Sequence, residues 1–144
     1  MSPIDNTTIE DKLLRLREIT ALLTDYQKIS QEEFVKDPTL SSAVMYNLII
    51  GIEIIIDIGN HILAEAFQKS AKTYRDVVLF LGENGVIPEP FAKENEFMAD
   101  FRNRLIHDYD RIDLPYIYNI AHKAPAIFQQ FAAYYVTFLE GYNK

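Results

Sequence analysis

The sequence predicts an all-α fold, an up-and-down antiparallel bundle of about five helices with the last one kinked. Three observations carry that expectation. Apolar residues recur at steps of three and four nearly throughout the chain. Glycine is scarce, at 5 of 144 residues. The periodic segments are separated by short proline, glycine or Asp-Pro punctuation, which favours antiparallel neighbours. No internal repeat or low-complexity tract appears, so one helical domain is expected over residues 1–144.

The first helix is expected to start at Thr7, because Thr7-Thr8-Ile9-Glu10 has the form of a capping box, a hydroxyl followed three residues on by a carboxylate. Ile9, Leu13, Leu16, Thr20 and Leu23 then define its apolar stripe, widened by Ile19, Leu22 and Tyr26. Ser30 to Glu33 allows one further short turn. Asp37-Pro38 restarts the helical pattern, since aspartate caps free amides and proline suits the first helical position. The helix from Pro38 to about Phe67 would span about 45 Å at about 1.5 Å per residue. Its apolar residues cover more than one face, so it should be central, and Glu53, Asp57, Asn60 and His61 add one polar line along it. Tyr74 to Leu81 forms a short third helix closed by Gly82 and Gly85. A fourth begins near Pro90, with Phe97, Phe101 and Leu105 on one face. After a loop from Asp108 to Asp113, the last helix runs to about Gly141, and Pro125 should kink or break it near Ala121 to Lys123. That helix holds more aromatic residues than a small core needs, which places some of them at an expected subunit interface.

Bulk properties narrow the function. The absence of cysteine excludes disulfides, zinc–thiolate sites and thiol nucleophiles. The N-terminal Met-Ser-Pro-Ile-Asp-Asn lacks the basic and apolar regions of a signal peptide, so a cytoplasmic location is expected. The apolar run from Leu48 to Ile58 is interrupted by Glu53 and Asp57 and is too short to span a bilayer, so no membrane partner is expected. A net charge of −7 argues against a general nucleic-acid binder, though not against a small, locally basic site. Binding there would be weak, or helped by an assembly that concentrates the local cations.

Such a site is offered by Arg102-Asn103-Arg104-Leu105-Ile106-His107-Asp108-Tyr109. On a helix, Asn103 and Arg104 share a face with His107, whereas Phe101 and Leu105 form an anchoring face. Arg102 lies five residues before His107, about 140° away. Either its long stem reaches round the helix, or a second copy of the segment supplies the partner across a two-fold axis. For an RNA substrate, histidine is suited to acid–base work near neutral pH and arginine to the non-bridging phosphate oxygens. The same residues would also suit an ordinary basic helix C-terminus.

The stretch from Arg102 to Tyr109 resembles the R-x4-H-x-Y motif of HEPN-domain toxins of the HepT type. Those proteins are all-helical ribonucleases paired with a minimal nucleotidyltransferase antitoxin of the MntA type. Ala43-Val44 with Glu53, Asp57 and His61, then Tyr74-Arg75-Asp76 with Gly85-Val86-Ile87, extend the similarity from about Leu13 to Leu139. The resemblance implies a homodimer whose two motifs line one cleft and cleave RNA without a metal or other cofactor. It assigns phosphate stabilisation to Arg102, acid–base catalysis to His107 and a supporting polar role to Asn103. Tyr109 matches the tyrosine to which the antitoxin can transfer AMP, adding charge and bulk at the cleft mouth.

Arg104, Glu53 and Asp57 are supporting candidates, with Glu53 or Asp57 expected to pair with and orient Arg102 or His107. Glu53, Asp57 and His61 alone would need further ligands to hold a metal, so no metal site is expected. His122, beside Lys123, is expected at the surface near the kink. No glycine-rich phosphate loop or nucleophile elbow is present. The rival to an endoribonuclease is a non-catalytic helical module that holds substrate for, or docks, a separate nucleotidyltransferase.

Overall fold

The Asp37-Pro38 step opens the longest helix, and the others are arranged round it. The computed structural model describes residue 4, residues 6–108 and residues 111–143, and among these it has seven helices and no strand. The helices are α1 (Asn6–Tyr26), α2 (Gln31–Lys36), α3 (Pro38–Phe67), α4 (Tyr74–Glu83), α5 (Glu89–Asn95), α6 (Phe97–His107) and α7 (Leu114–Tyr142).

Asp37 takes an extended backbone and its carboxylate accepts the amides of Thr39 and Leu40 at 3.1 and 3.2 Å, satisfying donors that the first turn leaves free. α3 has the length and apolarity of a membrane-crossing helix, with a mean hydropathy of 1.8 over its most apolar window. Its surroundings explain that apolarity. α1, α2, α4, α6 and α7 all pack against it, and Leu48, Ile52, Ile58 and Ile62 lie in the hydrophobic core. It is a core helix, apolar on several faces because it has partners on several faces.

Two contacts fix the direction of α1 against α7. The Ile4 amide donates to Asn143 Oδ1 at 3.1 Å, and Gln27 Nε2 donates to the His122 carbonyl at 2.9 Å. The start of one helix thus meets the end of the other, so they are antiparallel. Along α3 and α7 the contacts ascend together, from Gly51 on Phe128 to Phe67 on Phe138, so these two run parallel. Alternate helices of an up-and-down bundle have this relation. Glycine permits the close approach: a Cβ at Gly51 would enter the Phe128 ring, and one at Gly59 would lie 2.8 Å from Leu81 Cδ1.

The all-α bundle forms as expected, but the helix count and some details differ. Ser30 Oγ accepts the Glu33 amide at 3.2 Å, so the short turn becomes a capped helix, α2. The expected fourth helix is divided into α5 and α6. Near the division, the buried Asn95 amide donates to the Phe91 carbonyl at 2.9 Å, where it competes with the helical ladder. α1 starts at Asn6, one residue before Thr7. Pro125 does not break α7, which continues from Leu114 to Tyr142. The proline removes the amide that Ala121 would otherwise receive, and Gln27 supplies a side-chain donor to the adjacent His122 carbonyl.

His122 is not the surface residue expected. It is partly buried, its ring 4.3 Å from that of Tyr118, with Nδ1 3.0 Å from the Tyr118 carbonyl and Nε2 3.3 Å from the Gln27 carbonyl. The ring therefore ties the end of α1 to α7. The aromatic residues of α7 also serve the chain's own core: Phe128, Phe131 and Tyr135 are fully buried, and the Tyr135 hydroxyl donates to the Ile55 carbonyl at 2.8 Å.

Candidate active site

α6 presents the charged motif because its opposite face is anchored. Met98, Phe101 and Leu105 are buried in the core, which turns Asn103, Arg104 and His107 outward. The helix closes where the Asp108 amide donates to the Arg104 carbonyl at 2.9 Å. Arg104 and His107 lie in this last turn, where the negative end of the helix dipole favours positive charge.

Arg102 is held differently from its neighbours. Its side chain is 17% exposed and points back to α3 and α4. Nε donates to Glu53 Oε1 at 3.1 Å, and Nη2 donates to the same oxygen. Nη1 donates to Asn103 Oδ1 at 3.2 Å. The guanidinium carbon lies 4.8 Å from the centre of the Tyr74 ring, a cation–π arrangement. Four groups from three helices are thereby brought together. The engaged hydrogens are Nε–H and one on each terminal nitrogen, so the second N–H of Nη1 and of Nη2 remains for a ligand.

The remaining candidates separate. Of the two candidate carboxylates on α3, Glu53 is the one paired with the motif. Asp57, one helical turn further along, instead lies 3.7 Å from Lys12 of α1. His107 is exposed and has no hydrogen-bond partner among the described residues. Arg104 turns toward the start of α7, where it lines a pocket of about 260 Å³ with Phe101, Asp108, Arg111, Asp113 and Tyr116. Tyr109 lies outside the described residues.

Sequence reasoning missed the support given by α4. Tyr74 underlies the guanidinium, and Arg75 beside it donates to Glu96 at 2.7 Å and to Asp100 at 3.4 Å, tying α4 to the start of α6. Arg75 and Asp100 are more than half exposed and Glu96 about a quarter, so the value of these two ion pairs is orientation more than stability. The Arg75 pKa is raised, first by the hydrogen bond and charge of Glu96 and then by Asp100. The adjacent Tyr74-Arg75 pair, placed directly after the Thr73 cap, is the signal that marks this position.

Comparison with known proteins places the chain in a family. The family model described as Ribonuclease HepT-like matches residues 9–134. The chain belongs to the HepT-like family. Among its relatives is the mRNA nuclease HepT of Shewanella oneidensis, 30% identical over 99 residues, which are 69% of this chain and 74% of that one. The tRNA nuclease HepT of Aphanizomenon flos-aquae is 30% identical over 117 residues, 78% of this chain and 77% of its own. A similar solved structure is the tri-AMPylated HEPN toxin of Shewanella oneidensis in complex with its MNT antitoxin. It has a TM-score of 0.79 at 25% identity, covering 93% of this HepT-like chain and 97% of that toxin.

Proposed function

We propose that the chain is a metal-independent endoribonuclease toxin of a toxin–antitoxin pair, acting as a homodimer. The observation that carries the reading is Arg102. Its guanidinium is fixed by Glu53, Asn103 and Tyr74, yet retains an N–H on each terminal nitrogen.

In the proposed reaction, one histidine accepts the proton of a ribose 2′-hydroxyl, and the freed oxygen attacks the adjacent phosphorus. The new P–O bond closes a cyclic phosphate while the bond to the 5′-oxygen breaks. A protonated histidine gives that leaving oxygen its proton. The free Arg102 donors meet the non-bridging oxygens as charge builds on them, and their fixed orientation avoids reorganisation during the step. Arg102 and His107 diverge on α6, so a second copy of the motif across a two-fold axis supplies the complementary groups, with the two His107 rings dividing the acid and base roles. AMP transfer to Tyr109 by an MntA-like nucleotidyltransferase neutralises the toxin by placing phosphate charge and bulk beside His107.

Incubation with RNA in the presence of chelator tests the reading, with wild type beside His107→Ala and Arg102→Ala. Cleavage by wild type, lost in both variants, is expected. A wild-type sample that is inactive, with Tyr109 shown unmodified by intact mass, overturns catalysis in favour of a docking module for a nucleotidyltransferase.

A further inference from the structure

The pocket between the end of α6 and the start of α7 carries charges that the described residues leave unmatched. Arg104 and Arg111 line it together with Asp108 and Asp113, two cations and two carboxylates around about 260 Å³. Among the described residues none of these four forms a salt bridge, and all four are exposed, so each is open to a ligand. Asp113 uses Oδ1 to cap α7 through the Tyr116 amide at 3.2 Å, which leaves its second oxygen as an acceptor. Donors and acceptors thus surround one small space without satisfying one another.

The aromatic wall of that space is accessible. Tyr116 is 41% exposed, while Phe128, Phe131 and Tyr135 of the same helix are buried. The edge-to-face contact with Phe101, at 6.0 Å between ring centres, holds Tyr116 in place. A braced, accessible ring bordered by guanidinium groups and hydrogen-bond acceptors is the arrangement that receives an unpaired nucleobase. The volume lies just below the lower end of drug-sized pockets, about 300 Å³, which fits a single base and part of its sugar.

We propose that this pocket binds an unpaired RNA base bearing an exocyclic amino group, in the nucleotide next to the scissile phosphate. The assignment to RNA rests on the ribonuclease reading above. Arg104 lies one turn before His107 and Asp108 directly follows it, which sets the pocket and the exposed histidine at the same end of α6, within reach of adjacent nucleotides. Asp108 and Asp113 accept from the amino group of adenine, guanine or cytosine, which uracil lacks. The arginines stack on the base or hold its phosphate.

The test uses the full chain as His107→Ala, which keeps the RNA intact, and short single-stranded RNAs that differ at one nucleotide. Backbone amide signals of Tyr116 and Ile117 should shift on RNA addition, and RNAs with adenine, guanine or cytosine should bind about tenfold more tightly than the uracil version. Adding Tyr116→Ala should remove this preference and weaken binding about tenfold, whereas Tyr116→Phe should retain both. Circular dichroism establishes that each variant is folded. Absence of the amide shifts, or unchanged preference in folded Tyr116→Ala, overturns the pocket. Adenosine monophosphate binding as tightly as the RNA overturns the RNA assignment in favour of a free nucleotide. If the His107-intact protein cuts no RNA while Tyr116-dependent binding persists, the ribonuclease reading falls and the base pocket stands.

Discussion

Glu53 holds the guanidinium through Nε and Nη2, and its removal should affect catalysis more than folding. Glu53 is 31% exposed, so solvent screens the ion pair and its loss should change stability by no more than about 1 kcal/mol. A freed Arg102 would sample many rotamers, and misplacement of a transition-state donor by about 1 Å costs roughly 10²-fold in rate. Glu53→Ala should therefore lower kcat by about that factor with little change in KM or melting temperature, and Glu53→Gln should recover part of the loss. Equal effects on KM and kcat would assign Glu53 to substrate binding instead. The sequence offered Glu53 or Asp57 as a partner of Arg102 or His107, but not the choice among these pairings. That choice depends on the rotation of α3 against α6, which no single helix encodes. Tyr135 gives a second prediction at this scale. Burial raises its phenol pKa above the ordinary value of 10.0. The unfolded state then loses a proton that the folded state retains, so this contribution is intact below pH 10 and declines as pH rises beyond it, by up to about 1.4 kcal/mol per pH unit. Thermal melts from neutral to alkaline pH should show that decline in wild type and a smaller one in Tyr135→Phe. The variant should start about 1 kcal/mol less stable, from loss of the bond to the Ile55 carbonyl.

Between elements, the contact of α3 with α7 decides how a glycine substitution behaves. Alanine in a helix interior is favoured over glycine by about 1 kcal/mol. At Gly51 the added methyl would collide with Phe128, which is fully buried in the core, and overpacking costs about 1–3 kcal/mol. Gly51→Ala should therefore lower the melting temperature, while Gly141→Ala, with nothing within 4 Å, should leave it unchanged or raise it. Urea denaturation of the two variants measures the contrast directly, and a stabilised Gly51→Ala would overturn the close packing of these helices. Elements with strong punctuation were legible in the sequence. Asp37-Pro38 marks the start of α3, and the Phe97, Phe101 and Leu105 spacing marks the buried face of α6. The α5–α6 division was hidden because Asn95 acts through its side chain at a position where the apolar spacing continues undisturbed. His122 was misread for a related reason, since both of its carbonyl partners depend on the end of α1 meeting α7.

For the molecule as a whole, divergence of Arg102 and His107 on one helix makes assembly part of the proposed chemistry. A net charge of −7 opposes the approach of RNA, and a single motif offers little local positive potential against it. Two motifs facing each other would double the cations in one cleft and would bring together an acid and a base that one chain does not pair. The consequence is quantitative. If both His107 rings serve one cleft, exchanging wild type with an equal amount of His107→Ala should give about one quarter of the activity of the same total amount of wild type, because only dimers of two wild-type chains remain competent. If each chain works independently, about one half should remain. Subunit exchange under mild denaturation, confirmed by native mass spectrometry and followed by chelator-resistant RNA cleavage, separates the two. A linear fall of activity with the wild-type fraction would show that each His107 works without the other. A quadratic fall would show that the His107 of both copies is required, with Arg102 held by Glu53 in each.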